Sequence, residues 1–162
     1  MSVDCRFNVD NNRFQLRVGA IIIEEGCVLL AKNDTADYYY SVGGGVKLLE
    51  TACEAVKREV FEETGIAYEV DRLVFVQENF FEDIVVAKGV TFHEVCLHFL
   101  MKPRGRKEAI TQESECATGV EHMHWIPLEK LHSIKVFPVF YPEKLLNLPE
   151  NTEHIITDEL KV

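Results

Sequence analysis

The segment 44–66 constrains the fold more than any other part of the sequence, because it predicts a helix with both ends marked. Thr51 is a suitable N-cap, and Glu54, three residues later, completes a capping box. Gly65 follows at the position where a helix commonly ends on a glycine. These signals predict a helix over residues 51–64.

Two faces of this helix carry different side chains. The apolar positions are spaced i, i+3 and i+7 and predict the buried stripe, which consists of Cys53, Val56 and Val60. Glu59, Glu62 and Glu63 fall at i, i+3 and i+4, within an arc of roughly 100°. Three carboxylates on one face repel each other unless something offsets their charge, and a divalent cation with oxygen ligands does so.

Strand-like segments surround the helix. Residues 14–31 predict a β-hairpin around the turn EEG. The three glycines 43–45 predict a loop, because they favour no regular element. Further predicted elements are an extended piece at 38–42, strands at 68–81, 91–101, 122–127 and 154–157, a surface loop at 102–119, a helical turn at 128–132 and a short helix at 142–148. No repeat or linker divides the 162 residues, so we expect one α/β domain over 1–162.

Composition excludes some classes of partner. The formal net charge is −10, which argues against a protein that binds nucleic-acid polymers or membrane surfaces through a basic face. An acidic protein can still bind an anionic phosphate when divalent cations bridge the two. We therefore expect a small-molecule partner, no nucleic-acid polymer and no membrane.

The five cysteines indicate the compartment. They are odd in number, scattered, and never spaced C-x-x-C, which predicts free thiols in a reducing cytoplasm. The N-terminal residues carry no signal-peptide pattern, and no apolar run reaches the ~18 residues that a spanning helix needs. The expected localisation is cytoplasmic.

The spacing of seven residues in the segment is unlike chance. Gly44 precedes Glu50 by six positions, the pair Arg58-Glu59 follows, and the glutamate pair and Gly65 complete the pattern. At average residue usage, seven fixed positions match by chance on the order of 10⁻⁹ per starting point. A planar guanidinium such as that of Arg58 can hold a carboxylate such as Glu50 in one orientation, which a metal site requires of its surroundings.

This pattern, GGVKLLETACEAVKREVFEETGI, resembles the Nudix box with every defining position filled. More weakly, RVGAIIIEEGCVLLAK, YYYSVGGGV and HWIPLEKL resemble the first hairpin, the glycine turn and a late segment of Nudix domains. The resemblance implies an α/β/α sandwich around a mixed sheet. It also implies metal-dependent cleavage of a diphosphate bond, in a nucleoside diphosphate linked to another group or in a nucleoside triphosphate.

By position, the resemblance makes Glu59, Glu62 and Glu63 the ligands of Mg²⁺ or Mn²⁺ and catalytic residues, with Arg58 and Glu50 supporting them. The glycines before the helix, Gly43, Gly44 and Gly45, would let the backbone approach the metal or phosphate closely, and the Gly43 carbonyl is a further ligand candidate. Each box glutamate is also a candidate for the general base, as are three glutamates of a later loop: Glu113, Glu115 and Glu121.

Departures from the family pattern leave the substrate open. Lys47, Leu48 and Leu49 replace the usual glutamate and proline-glycine, and Lys47 is a candidate phosphate contact. Other candidate phosphate contacts are Arg17, Lys32 and 104–107. The pair of histidines at 122 and 124 could share one side of a strand, although a third metal ligand is missing.

Three functions remain as alternatives at this point. The first is an active pyrophosphohydrolase. The second is a Nudix-like module that senses a nucleotide without turning it over, although the intact box argues against this. The third is an isomerase of isoprenoid diphosphates, which would need a catalytic cysteine opposite the metal; Cys96 instead has the pattern of a core residue. A homodimer is left open.

Overall fold

The computed structural model describes residues 3–84, 86–116 and 119–161, with the backbone alone at 115 and 116. Helices are α1 (Ala52–Thr64), α2 (Tyr141–Lys144) and a 3₁₀ helix at Leu128–Ser133. The strands are β1 (Arg6–Val9), β2 (Asn12–Ile21), β3 (Ile23–Glu24), β4 (Cys27–Asn33), β5 (Tyr39–Gly45), β6 (Val70–Asp83), β7 (Val90–Met101), β8 (Ser114–Cys116), β9 (Gly119–Pro127), β10 (Val136–Phe137) and β11 (Glu153–Asp158).

The strands form a mixed sheet in the order β11-β6-β7-β2-β5-β4-β9-β8, to which β1, β3 and β10 add short pairs. Two pairs on the main path, β2 with β7 and β6 with β11, are parallel, and the others are antiparallel. The predicted hairpin at 14–31 is real only next to its turn, where β3 pairs with β4. Beyond the turn, β2 leaves β4 to pair with β7 and β5.

Helices cover both faces of the sheet. On one face, Ala55, Val56 and Val60 of α1 pack against sheet residues such as Val18 and Val42. On the other face, Leu131 of the 3₁₀ helix and Tyr141 of α2 pack against residues that include Ile21, Leu30 and Phe75. Burial of these apolar side chains on two faces holds the three layers together. The predicted α/β/α sandwich around a mixed sheet is confirmed.

Helix α1 begins and ends as its caps predict. The Glu54 amide donates to the Thr51 hydroxyl at 3.2 Å, and the Thr51 amide donates to the Glu54 carboxylate at 2.9 Å. Gly65 ends the helix with a φ of 72°. The predicted apolar stripe was wrong at Cys53, which is exposed, because Ala55 is the residue that turns toward the sheet beside Val56 and Val60.

The predicted loop at the three glycines was wrong, because Gly43, Gly44 and Gly45 are the last residues of β5. They pair in antiparallel register with β2, Gly43 opposite Gly19 and Gly45 opposite Arg17. The reason for the glycines is close approach. A Cβ on Gly43 would lie 2.1 Å from the Val18 carbonyl oxygen, and the φ of Gly43 is 144°.

Other boundaries differ by a few residues. The predicted loop at 102–119 contains β8, which pairs with β9. The polar N-terminal stretch contains β1, which pairs with β2 and was not predicted. The cysteines whose side chains are described are free thiols, as predicted; Cys116 lies outside that set. Among the described residues no helix is long and apolar enough to cross a membrane.

Candidate active site

Helix α1 and strand β5 bring the box glutamates against the glycines. Glu59 lies directly over Gly44, where a Cβ would come within 2.5 Å of the Glu59 carboxyl carbon. The Gly43 amide donates a long hydrogen bond of 3.4 Å to the Glu63 carboxylate. The spacing i, i+4 of these two glutamates on α1 therefore places both carboxylates beside the end of β5.

Arg58 organises the side of this cluster that faces the helix start. Its guanidinium donates from Nε and Nη2 to the two oxygens of Glu50, at 2.7 and 2.9 Å. Nη1 donates to Glu59 at 2.6 Å, and Nη2 also donates to the Gly45 carbonyl at 3.0 Å. Because of the Arg58 hydrogen bonds, the pKa of Glu50 is lowered to about 2.

Glu59 and Glu63 are costly to ionise where they lie. Burial raises the pKa of Glu59, and Arg58 opposes that rise. Burial, followed by the negative charges of Glu121 and Glu59, raises the pKa of Glu63 to about 8. Crowded carboxylates of this kind are characteristic of sites that bind cations or move protons.

Glu62 stands apart from the other two box glutamates. Its side chain is 52% exposed and lies 3.3 Å from Arg58 Nη1. Among the described residues, no three histidine, cysteine or acidic side chains converge on one point as a formed metal site. The structure thus brings together Glu59 and Glu63, with Arg58 and Glu50 behind them, and leaves Glu62 on the rim.

The three loop glutamates that are candidates for the general base differ in their position relative to the carboxylate cluster. Glu121 on β9 acts on the cluster, because after burial its negative charge contributes most to the raised pKa of Glu63. The Tyr40 hydroxyl holds it at 2.6 Å and the Ser114 hydroxyl at 2.8 Å. Glu113 is exposed and lies 3.8 Å from His122 instead. The side chain of Glu115 lies outside the described residues.

A cavity of about 520 Å³ opens beside the carboxylates, and Arg17, Glu94 and Glu121 line it. Burial alone lowers the pKa of Arg17, but the carboxylates of Glu94, Glu63 and Glu59 more than offset this and raise it. Arg17 Nη1 lies 3.7 Å from Glu94. Sequence reasoning named Arg17 only as a candidate phosphate contact and missed Glu94, whose proximity depends on the parallel pairing of β2 and β7.

The other predicted phosphate contacts lie elsewhere or have protein partners. Arg104 donates to the Ala67 carbonyl and to Glu108, which Arg106 also contacts. Lys32 lies over the Tyr39 ring at 5.2 Å. Lys47 meets Glu50 through its backbone amide.

His122 bonds to Asp34 at 3.1 Å, and His124 lies edge-on to Tyr39, so each has a local packing role. Cys96, which the sequence pattern indicated as a core residue, is 6% exposed. Burial first and then Glu94 raise the pKa of its thiol. A thiol in this setting behaves as a core residue rather than as a thiolate.

Comparison with known proteins now decides the family. A family model described as the NUDIX domain matches residues 13–145, which is most of the chain. The chain belongs to the Nudix hydrolase family. The match extends well beyond the box and takes in β2 to β10 and α2.

Relatives of this Nudix chain include proteins of the MutT type. A "MutT-like protein" of Streptomyces ambofaciens is 35% identical over 96 residues, which are 59% of this chain and 56% of the relative. The matched part thus spans little more than half the length of that curated relative. The crystal structure of a MutT NUDIX hydrolase from Burkholderia pseudomallei is 27% identical with a TM-score of 0.53, covering 72% of this chain and 84% of that one.

A third comparison shows the fold alone. The crystal structure of a MutT protein from Bacillus halodurans has a TM-score of 0.63 and 18% identity, and it covers 88% of this Nudix chain and 90% of that one. The shared architecture agrees with the sandwich described above.

Proposed function

We propose that this Nudix chain is a metal-dependent pyrophosphohydrolase. Its substrate is a nucleoside diphosphate linked to another group, or a nucleoside triphosphate. The observation that carries the proposal is the meeting of Glu59 and Glu63 beside Gly43 and Gly44. Their charges act on Arg17, which lines the neighbouring cavity. The 27% identity to a MutT NUDIX hydrolase supports a hydrolase rather than an unrelated use of the fold.

The donor set fits Mg²⁺ or Mn²⁺. Carboxylate oxygens are the ligands that these hard cations prefer. Burial and the negative charges of Glu121 and Glu59 raise the pKa of Glu63 to about 8, and a bound cation would favour its ionised form. Glu59 and Glu63 would hold the metal, with Glu62 from the rim and the Gly43 carbonyl as further ligands. A metal bound there would neutralise the diphosphate oxygens and acidify a bound water.

The chain's own residues supply the remaining roles. Arg17 carries a fixed positive charge at the cavity edge and would bind a phosphate oxygen. Glu121, held by Tyr40 and Ser114, would accept the proton of the attacking water. Arg58 and Glu50 would fix the orientation of Glu59.

The test is turnover of a nucleotide panel by the purified full chain with Mg²⁺ or Mn²⁺, and product identification by chromatography. We expect release of phosphate, pyrophosphate or a nucleoside monophosphate from at least one substrate. Glu59→Gln and Glu63→Gln should reduce this at least about 100-fold. Glu129→Gln, at an exposed position of the 3₁₀ helix, is the matched control and should retain activity.

Two results would argue for other functions. Activity that survives both glutamate substitutions would overturn the site assignment. Tight nucleotide binding without any product, in the presence of either metal, would favour the nucleotide-sensing module that the sequence left as the alternative.

A further inference from the structure

A line of hydrogen bonds runs along the cavity wall formed by β6, β7 and β11. The Gln77 amide Nε2 donates to the Thr157 hydroxyl at 2.8 Å, and that hydroxyl donates to Asn79 Oδ1 at 2.6 Å. At its other end, Gln77 Oε1 lies 3.0 Å from His98 Nε2. Asn79, Gln77, Thr157 and His98 all line the cavity.

The direction of each bond in this line is fixed. An amide oxygen can only accept, so His98 Nε2 carries the proton that it shares with Gln77. His98 Nδ1 is then the acceptor, and the Tyr141 hydroxyl donates to it at 3.0 Å. His98 is 1% exposed, so its ring is held in this tautomer.

This sequence of donors and acceptors fixes the orientation of the Asn79 side chain. Its Oδ1 accepts from the Thr157 hydroxyl, which turns the Nδ2 group with its two hydrogens away from Thr157, on a side chain that lines the cavity. Thr157 belongs to β11, which lies outside the residues 13–145 that match the Nudix domain. The orientation therefore depends on a strand outside the matched residues.

Aromatic side chains line the same cavity. Phe81 follows Asn79 by two positions on β6, and Tyr40 and Phe137 lie on β5 and β10. Ring faces of this kind pack against planar ligands. A flat group in this part of the cavity would thus lie among aromatic side chains and near the Asn79 amide.

We propose that Asn79, held by Thr157, makes this chain selective for nucleotides whose base carries a carbonyl oxygen where adenine and cytosine carry an amino group. This inference rests on the proposed function, because it takes the cavity to hold the base of the substrate. A donor amide pairs with a carbonyl oxygen and opposes an amino group, while an asparagine that reads adenine needs its oxygen as an acceptor as well.

The experiment compares two pairs of substrates that differ at one exocyclic group. The first pair is inosine triphosphate and adenosine triphosphate, and the second is uridine triphosphate and cytidine triphosphate. For the wild type we expect kcat/KM to be at least about tenfold higher for the carbonyl member of each pair. Asn79→Asp offers only acceptors, so it should bring each ratio to one or below it. Thr157→Val releases Asn79 and should move the ratios toward one.

Two control variants distinguish a specific loss of base selectivity from general damage to the fold. Thr157→Ser keeps the hydroxyl and should keep the wild-type ratios. Thr152→Val removes a different threonine hydroxyl, bonded to the Leu73 carbonyl outside the cavity lining, and should also leave the ratios unchanged. If the kcat/KM ratios of Asn79→Asp and Thr157→Val equal those of the wild type, the inference is overturned. Turnover of the substrates would still support the proposed function.

If the wild type hydrolyses none of the four triphosphates, the proposed function is judged on the wider nucleotide panel, and selectivity is tested by binding. The same ratios are then measured as binding affinities for inosine and adenosine diphosphate by calorimetry. A preference for the inosine nucleotide that Asn79→Asp reverses would support the inference, and equal affinities or no binding would overturn it.

Discussion

Arg58 and Glu50, eight residues apart in the chain, face each other through two hydrogen bonds of 2.7 and 2.9 Å. Both side chains are mostly buried, at 20% and 15% exposure. The same guanidinium contacts Glu59, so the pair links the start of α1 to the carboxylate cluster.

Arg58→Lys should destabilise the protein by about 2 kcal/mol, because an ammonium cannot reproduce the two-pronged contact with Glu50. Urea unfolding measures the loss. Arg106→Lys is the matched control, since Arg106 is 73% exposed and its contact is with Glu108. Equal stability of the two variants would contradict a structural role for the Arg58 pair.

Glu63→Gln should stabilise the metal-free protein at pH 8. Its pKa is raised to about 8, above the ordinary value of 4.5, so the folded state binds a proton that the unfolded state releases. Stability linked to this group therefore falls as the pH rises from 4.5 through 8, and the neutral amide avoids that loss. We expect the Tm in EDTA to rise by about 2–6 °C.

Bound metal should reverse the order of stability of the wild type and Glu63→Gln. Mg²⁺ or Mn²⁺ is expected to raise the Tm of the wild type and of Glu129→Gln, but not of Glu63→Gln, because only the first two retain the ligand. A metal-dependent rise in Tm that is equal in all three proteins would show that Glu63 does not bind the metal.

Gly44→Ala should displace Glu59, since the new Cβ would lie 2.5 Å from its carboxyl carbon. We expect kcat to fall at least about tenfold and stability to fall by about 1–3 kcal/mol. In Gly45→Ala, the neighbouring control, the Cβ meets the Asp4 carboxyl carbon at 3.1 Å. Asp4 is 39% exposed and can move, so a smaller loss is expected there.

Glu121→Gln should reduce kcat by about 10²–10⁴ while KM changes little, as expected for the loss of a general base. The glutamine oxygen can still accept from Tyr40, so the surrounding contacts survive. Steady-state kinetics beside Glu113→Gln provide the comparison. A similar loss in both variants, or a loss confined to KM, would rule out this role for Glu121.

Acid should weaken the fold through His98. Burial, followed by the charge of Arg17, lowers the pKa of His98 to about 3, below the ordinary 6.5. The stabilisation linked to this histidine is therefore complete above pH 6.5 and is lost as the pH falls toward 3, at up to about 1.4 kcal/mol per pH unit.

Urea unfolding at pH 7, 6 and 5 measures this slope. His98→Asn removes the titrating ring, so its stability should depend less steeply on pH than that of the wild type. Exposed His132 gives the control, and His132→Asn should keep the wild-type slope. A wild-type slope in His98→Asn would mean that another group is responsible.

Local sequence was sufficient for α1, because Thr51, Glu54 and Gly65 satisfy the helix ends with neighbours only a few residues away. Local sequence did not predict the strand at the glycines of β5, because glycine is required there by close tertiary contacts with Val18 and Glu59. Strand pairing across long stretches of chain decides such contacts, and no local pattern reports it.

The same limit applies to the cavity. Sequence reasoning named Glu121 among three loop glutamates and could not choose, because the choice depends on the pairing of β9 with β4. Asn79 and Thr157 gave no signal at all, since they meet only through the parallel register of β6 and β11. The box residues were found because their spacing on one helix already fixes their relation.

The position of β11 at the edge of the described sheet has a consequence for how such a chain can diversify. The glutamates of α1 and the glycines of β5 come from earlier in the chain, while β11 contributes Thr157 to the cavity wall that β6 and β7 also form. Exchange of that strand would alter the shape offered to a ligand without touching the carboxylates. On the function proposed above, ligand selectivity can thus be engineered at this edge strand independently of the carboxylates.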